Sequence, residues 1–246
     1  MPIKKHIPNS ISLLNLLSGS VAVTEAIQGR LTNAAILIVL ASIFDFFDGF
    51  AARLLHVKSD IGKELDSLAD VISFGLAPSL MLMSLIRQND AITTTGVIAP
   101  YLPYTALLIA AFSGLRLAKF NIDERQTESF IGLPTPANAF FILSLPFIIA
   151  GDASGQFGLL SKIAGSLPFQ LALIPVSCYL LNSEIKLFAL KFAHGFGFSA
   201  NRIRYLFLLL ALVLLLLFRY AGIPLVILSY LLISVLNKHE NNKTSA

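Results

Sequence analysis

With 246 residues the chain has room for one or two soluble domains, yet 56% of those residues are hydrophobic, 13% are charged, and the mean hydropathy is +0.78. That balance excludes an ordinary soluble domain and describes a polytopic membrane protein. The net charge of +4 does not argue for nucleic-acid binding, because the basic residues sit in short loops between apolar runs rather than along one face; topology and lipid contact account for them.

The N-terminus, Met1-Pro-Ile-Lys4-Lys5-His6, leads into an apolar run from Ile11. No small-x-small cleavage site with a polar mature chain follows, so the run reads as a first span and not as a secretory signal. Crossing a hydrocarbon core takes ~20 helical residues. Apolar runs of about that length lie at 11–27, 34–54, 68–86, 98–117, 136–150, 168–182, 205–218 and 221–237. The expectation is an all-α polytopic membrane protein with about eight transmembrane helices in one membrane domain, 1–246. Pro146 and Pro175 interrupt the fifth and sixth runs, and Arg202, Arg204 and Arg219 can lengthen the short seventh by snorkelling. Ala221-Gly222-Ile223-Pro224 separates the seventh from the eighth. The segments 87–97 and 151–166 read as polar connectors, and the tail 238–246 as a disordered end. The single cysteine, Cys178, lies in an apolar run as a small buried hydrophobe.

Of the 18 Lys and Arg residues, only Arg30, Arg87, Lys162 and Arg219 fall in one set of alternate loops; the other fourteen fall in the other set or at the termini. The positive-inside rule therefore puts both termini and the 55–67 turn in the cytoplasm, and the alternation supports an even number of spans.

Four aspartates stand out against this apolar background. Asp45 and Asp48 are three residues apart, Asp66 and Asp70 four apart, so each pair shares a helix face with Cβ atoms ~5–6 Å from each other. If the second and third spans form a hairpin about the 55–65 turn, the pairs converge near its cytoplasmic end. Four such carboxylates repel unless they are protonated, paired with bases or bound to cations, and only Arg53 and Lys63 lie close in sequence. Carboxylate ligands without histidine or thiolate suit Mg²⁺ or Mn²⁺, and paired hard metals serve phosphoryl transfer. Gly49 and Ala52 leave a helix surface without bulk beside them, and Arg53 can pair with a phosphate. Gly62 is either a close-approach point or the end of a turn. His56, in the turn, reads as a solvated histidine more readily than as a second base. Phe44, Phe46, Phe47 and Phe50 read as packing or lipid-facing residues, and His194 as part of an interfacial stretch.

The stretch 45–70 matches Asp-x2-Asp-Gly-x2-Ala-Arg-x8-Gly-x3-Asp-x3-Asp at all eight fixed positions. It resembles the signature of the CDP-alcohol phosphotransferase family. The resemblance implies a six-helix core, here about 7–182, with additional helices at about 205–237, and an enzyme that moves a phosphatidyl or similar group from a CDP-linked donor to an alcohol. It further implies that Asp45, Asp48, Asp66 and Asp70 hold two Mg²⁺ or Mn²⁺ ions, that Asp70 is also the general base, and that Asp45, Gly49, Ala52, Arg53 and Gly62 surround the CDP moiety. A homodimer is usual for the family.

Further stretches narrow the acceptor. Ile7-Pro8-Asn9-Ser10-Ile-Ser12-Leu-Leu-Asn15, Ser67-Leu-Ala-Asp70-Val-Ile-Ser73-Phe-Gly75-Leu-Ala-Pro78, Ser113-Gly-Leu-Arg116-Leu-Ala-Lys119-Phe-Asn121 and Gly132-Leu-Pro134-Thr135-Pro136-Ala137 are similar to the integral-membrane, serine-accepting subgroup of the family. Lys119 stands where that subgroup more usually has arginine. The implied substrates are CDP-diacylglycerol and L-serine, with Arg116, Lys119, Asn121 and Thr135 as candidates for the acceptor or a donor phosphate. Arg116 and Lys119 read equally as topology markers. Alternatives are another acceptor (glycerol 3-phosphate, inositol phosphate, choline), an archaeal ether-lipid donor or, from another class, a divalent-cation transporter. The last predicts ionisable groups nearer the bilayer midplane and an inverted repeat, neither of which the sequence displays.

Overall fold

The computed structural model describes residues 3–57, 59–123, 130–151, 158–188 and 197–243, so His194 and Arg125 lie outside the described residues. The chain is an all-α polytopic membrane protein. Helix α1 (Ile3–Ile27) turns at Gly29-Arg30 into α2 (Leu31–Leu54). A short turn then leads to α3 (Asp60–Asp70), which continues through a π-helical segment (Val71–Leu76) into α4 (Ala77–Arg87). Next come α5 (Leu107–Ile122), α6 (Thr135–Ala150), α7 (Gly158–Gly165), α8 (Leu167–Asn182), α9 (Phe198–Phe218) and α10 (Gly222–Lys243).

Every one of the eight apolar runs is helical, but not every one is long. Five helical stretches among the described residues are long and apolar enough to cross a membrane, or six if α7 and α8, bent by 71° at Ser166, form one broken span. The 16-residue α6 falls below that length. Residues 201–236 enter this count once, although the chain reverses within them. Arg219 takes a positive φ of 48°, and the rings of Phe207 and Tyr230, nearly equidistant from that break, lie 5.5 Å apart. Thus α9 and α10 are an antiparallel hairpin.

Three details depart from expectation. The 87–97 connector is largely a 3₁₀ segment, Asp90–Ile98, kinked at Gly96, and the 151–166 connector contains α7. The backbone of α10 stays helical to Lys243, because no Gly or Pro stops it after Asn237. Two-residue strands, Phe130–Ile131 and Lys186–Leu187, pair antiparallel at one end of the bundle.

The stretch 60–87 is the centre of the bundle: 78% of its most apolar window is buried, against 22–33% for the other four long spans. The exposed Leu, Val and Phe side chains of the outer helices, Leu216 and Phe46 among them, form the surface that lipid covers. Small residues allow the inner contacts. A Cβ on Gly75 would lie 3.1 Å from Ser113 Cβ on α5. The π segment has a local cause in Pro78, which cannot donate to the carbonyl one α-turn back and crowds it. The wider turn absorbs this, with Ala77 N–H donating five residues back to Ile72 O.

Contacts sort the loops onto two ends. At one end Gln88 faces Gly29, Asn89 Nδ2 donates to Gly165 O at 2.7 Å, and Phe147 stacks on Tyr220 at 4.8 Å. These are the loops poor in basic residues. At the other end Asn9 meets Gly62, Lys63 Nζ donates to Asn121 O at 3.1 Å, and the 130–133 segment packs on the C-terminus of α8. There Gly132, at φ 72°, accepts no side chain, since a Cβ would sit 2.7 Å from Leu181 O.

Candidate active site: a carboxylate cluster between two cavities

The second end carries the aspartates. Ser59 caps α3, its side chain accepting from Gly62 N–H at 3.1 Å, and this sets α3 against the end of α2. The hairpin brings Asp45 and Asp48 of α2 to Asp66 of α3: one carboxylate oxygen from each lies within 4.8 Å of the others. Asp70, one turn further along, approaches Asp45 but lies outside that trio. Asp66 Oδ1 is buried without a hydrogen-bond partner among the described residues. A buried, unpaired carboxylate oxygen beside two further carboxylates, with no histidine or thiolate, fits a hard divalent cation such as Mg²⁺ or Mn²⁺.

Helix α1 supplies polar contacts that the sequence reading did not place in the site. Ser12, 3% exposed, donates from Oγ to Asp48 Oδ2 at 2.6 Å. Asn15, fully buried, donates from Nδ2 to Asp70 Oδ1 at 3.3 Å and accepts at Oδ1 from Ser73 Oγ at 2.6 Å. Asn9, Ser12 and Asn15 recur every third residue and so share one face of α1. That periodicity, in an otherwise apolar run, was the signal for them.

A cavity of about 380 Å³ opens beside the trio, lined by Asp48, Asp66, Gly49, Ala52, Gly62 and Lys63 among others. The Gly49, Ala52 and Gly62 expected around CDP therefore share one concave surface with the carboxylates. Arg53 is exposed at its margin, with its guanidinium Nη1 3.6 Å from where a Cβ on Gly49 would be. Gly62 is a close-approach point: a Cβ there would come within 2.8 Å of Asn9 Oδ1. His56 is exposed in the turn and does not line this cavity.

A second cavity, of about 410 Å³, is lined by Arg116 and Lys119 of α5 and by Asn182 and Glu184 at the end of α8. Arg116 is 7% exposed, donates from Nη1 to Thr135 Oγ1 at 3.4 Å, and lies over the Phe120 ring at 5.4 Å. Its Nε is buried without a partner among the described residues, and it is close enough to Asp70 to attract it. Lys119 is exposed. Thr135 is fully buried and serves Arg116. Asn121 lines neither cavity; its Nδ2 donates to Ser67 Oγ at 2.8 Å, which ties α5 to α3.

The arrangement is thus a carboxylate cluster flanked by a cavity floored with small residues and another holding a buried guanidinium. The family model for CDP-alcohol phosphatidyltransferases matches residues 5–179, which contain nearly all of it. The chain is similar to the CDP-diacylglycerol–serine O-phosphatidyltransferase of Bacillus subtilis, 36% identical over 58% of this chain and 76% of that protein. It is also similar to the protein of that name from Methanocaldococcus jannaschii, 36% identical over 56% of this chain and 58% of the relative. The archaetidylserine synthase of Methanothermobacter thermautotrophicus is 38% identical, over 56% of each chain. Two of these relatives are matched over little more than half their length. With the signature, the carboxylate geometry and the matched span in agreement, the chain belongs to the CDP-alcohol phosphatidyltransferase family.

Proposed function

We propose that the protein transfers the phosphatidyl group of CDP-diacylglycerol to the hydroxyl of L-serine, giving phosphatidylserine and CMP. The observation that carries this reading is the convergence of Asp45, Asp48 and Asp66 beside the cavity formed by Gly49, Ala52 and Gly62. The relatives' names support the acceptor: both phosphatidylserine and archaetidylserine synthases are among them.

Asp45, Asp48, Asp66 and Asp70 would hold two divalent ions, Mg²⁺ or Mn²⁺. When bound, such ions neutralise charge on the pyrophosphate and on the departing phosphate. The chain's own residues do the rest. Gly49, Ala52 and Gly62 let the nucleotide lie against backbone, and Arg53 and Lys63 pair with its phosphates. Serine's hydroxyl, a weak nucleophile when protonated, gives its proton to Asp70 as its oxygen bonds to the lipid-bearing phosphorus. The bond from that phosphorus to the bridging oxygen breaks, and CMP leaves with the electron pair. Arg116, its Nε without a partner among the described residues, and Lys119 line the second cavity and would receive the acceptor's carboxylate. The basic-rich end of the bundle would face the cytoplasm, where serine and CMP are soluble, and two copies would pair as a homodimer.

Purified protein given CDP-diacylglycerol, Mn²⁺ or Mg²⁺ and a panel of alcohols tests the acceptor. CMP release is expected with L-serine and at most traces with choline, glycerol 3-phosphate or inositol phosphate. Release with glycerol 3-phosphate and none with serine would overturn the assignment. Replacing the diacyl donor by its ether-linked counterpart distinguishes the two donor chemistries that the relatives' names represent.

A further inference from the structure

The geometry points to Asn15 and Ser73 as a coupled pair of positioning residues that hold Asp70 with one carboxylate oxygen turned to the site and the other withheld from it. The inference rests on the reading of Asp70 as base and metal ligand. It adds residues for which the aspartate signature has no position.

Asn15 is fully buried, and its two amide ends meet different partners. Nδ2 donates to Asp70 Oδ1 at 3.3 Å, while Oδ1 accepts from Ser73 Oγ at 2.6 Å. An asparagine amide is nearly symmetric in shape but opposite in polarity at its ends. Turned over, it would aim an oxygen at the Asp70 carboxylate and an NH₂ at a hydroxyl that also faces Asn15 O at 3.2 Å. The shorter contact has the Ser73 hydroxyl donating to Oδ1 at 2.6 Å, and the Asp70 carboxylate, which as an anion only accepts, takes the NH₂ end. Ser73 and Asp70 thereby favour the same orientation of the amide from its two ends.

Two features of the surrounding fold bring these groups together. First, Gly19 admits Ser73 against α1: a Cβ there would overlap Ser73 Oγ and lie 2.8 Å from its Cα. Second, the π turn widens the helix immediately after Asp70 and carries Ser73 within it. Helix α1 and the 60–87 stretch run in parallel register, since Ser73 meets Asn15 and Ser84 Oγ donates to Ala26 O at 2.6 Å, the same sequence offset of 58 in both cases. The Ser84 bond is therefore a matched control, buried between the same two helices but away from the aspartates.

Hydrogen bonds to a ligating carboxylate fix its orientation, and losing one costs typically ~10–100-fold in metal affinity or activity. In the full-length protein, Asn15→Ala and Ser73→Ala are expected to lower kcat ~10–100-fold with KM for CDP-diacylglycerol changed less than ~3-fold. The double variant should be no worse than Asn15→Ala alone, because the serine acts through the amide. Ser84→Ala should keep kcat within ~2-fold. Multiplying losses in the double variant, or an equal loss in Ser84→Ala, would overturn the inference. If Asn15→Ala does not accumulate, Ser73→Ala, which only removes an oxygen, decides the matter by the same kcat criterion. Mn²⁺ titration followed by electron paramagnetic resonance separates this idea from the reaction assignment. If wild-type protein releases no CMP with serine, the reaction assignment fails; Mn²⁺ binding weakened ~10-fold in both variants still supports the pair, and unchanged binding refutes it.

Discussion

Asp70 differs from the other three aspartates in its company. Asp48 has a serine hydroxyl and Asp66 an oxygen without a hydrogen-bond partner among the described residues, whereas Asp70 is held by an amide and lies near the Arg116 guanidinium. It neighbours Asp66, which lines the first cavity, and Arg116, which lines the second. Asp70→Asn keeps the shape and removes the base, so turnover should fall at least ~100-fold while binding of radiolabelled CDP-diacylglycerol persists. Near-normal turnover would remove Asp70 from that role. Gly62 gives a prediction of different sign at two levels. Alanine at this position in α3 gains ~0.5–1 kcal/mol of helix propensity, while its Cβ would lie 2.8 Å from the far end of the Asn9 side chain and 3.3 Å from Ser59 Cβ, contacts that small side-chain shifts relieve. Gly62→Ala should therefore melt within a few degrees of wild type, yet raise KM for CDP-diacylglycerol several-fold, because Asn9 is pushed into the cavity it lines. An unchanged KM would show that the nucleotide does not use this wall.

At the scale of elements, the close packing of α1 on the π segment decides whether the site assembles. Gly19→Ala meets backbone as well as side chain at Ser73, so relief requires the helices to part, at ~1–3 kcal/mol. Both a lower Tm and a lower kcat are expected, in contrast to Gly62→Ala; a full-activity Gly19→Ala protein would contradict the contact. The aspartate hairpin was legible in the sequence because its spacing fixes helix faces without reference to anything distant. The α1 contribution was not used, although Asn9, Ser12 and Asn15 show a helical period, because polar residues in a span have meaning only once their neighbours are known. The π turn was hidden for a related reason: Pro78 within a long apolar run permits a kink, a break or a widened turn, and packing chooses. Asn121, a candidate for the acceptor, joins α5 to α3 through Ser67, a contact its loop-like surroundings did not reveal.

For the whole molecule, all eight apolar runs are helical, but length separates them: five stretches, one of them the α9–α10 hairpin counted once, are long enough to cross a bilayer, or six with α7 and α8 as one broken span, and α6 stays at 16 residues. Run hydropathy shows burial in lipid or protein alike, which is why the central 60–87 stretch and the lipid-facing α9 looked similar. The alternation of basic loops matches the two ends defined by contacts. Cysteines placed at Gln28 and at His56, in a Cys178→Ser background, test which end faces out. A membrane-impermeant maleimide should label intact cells at position 28 and, only after permeabilisation, at position 56; the reverse pattern would invert the proposed orientation.

The central claim joins the carboxylate cluster to one reaction, and product stoichiometry tests it most directly. Purified protein in lipid vesicles containing CDP-diacylglycerol, supplied with isotopically labelled L-serine, should form phosphatidylserine and CMP in equal amounts. Both products should vanish with a chelator and return with Mg²⁺ or Mn²⁺. CMP formed without phosphatidylserine, or transfer to serine that survives complete removal of divalent metal, would contradict the account.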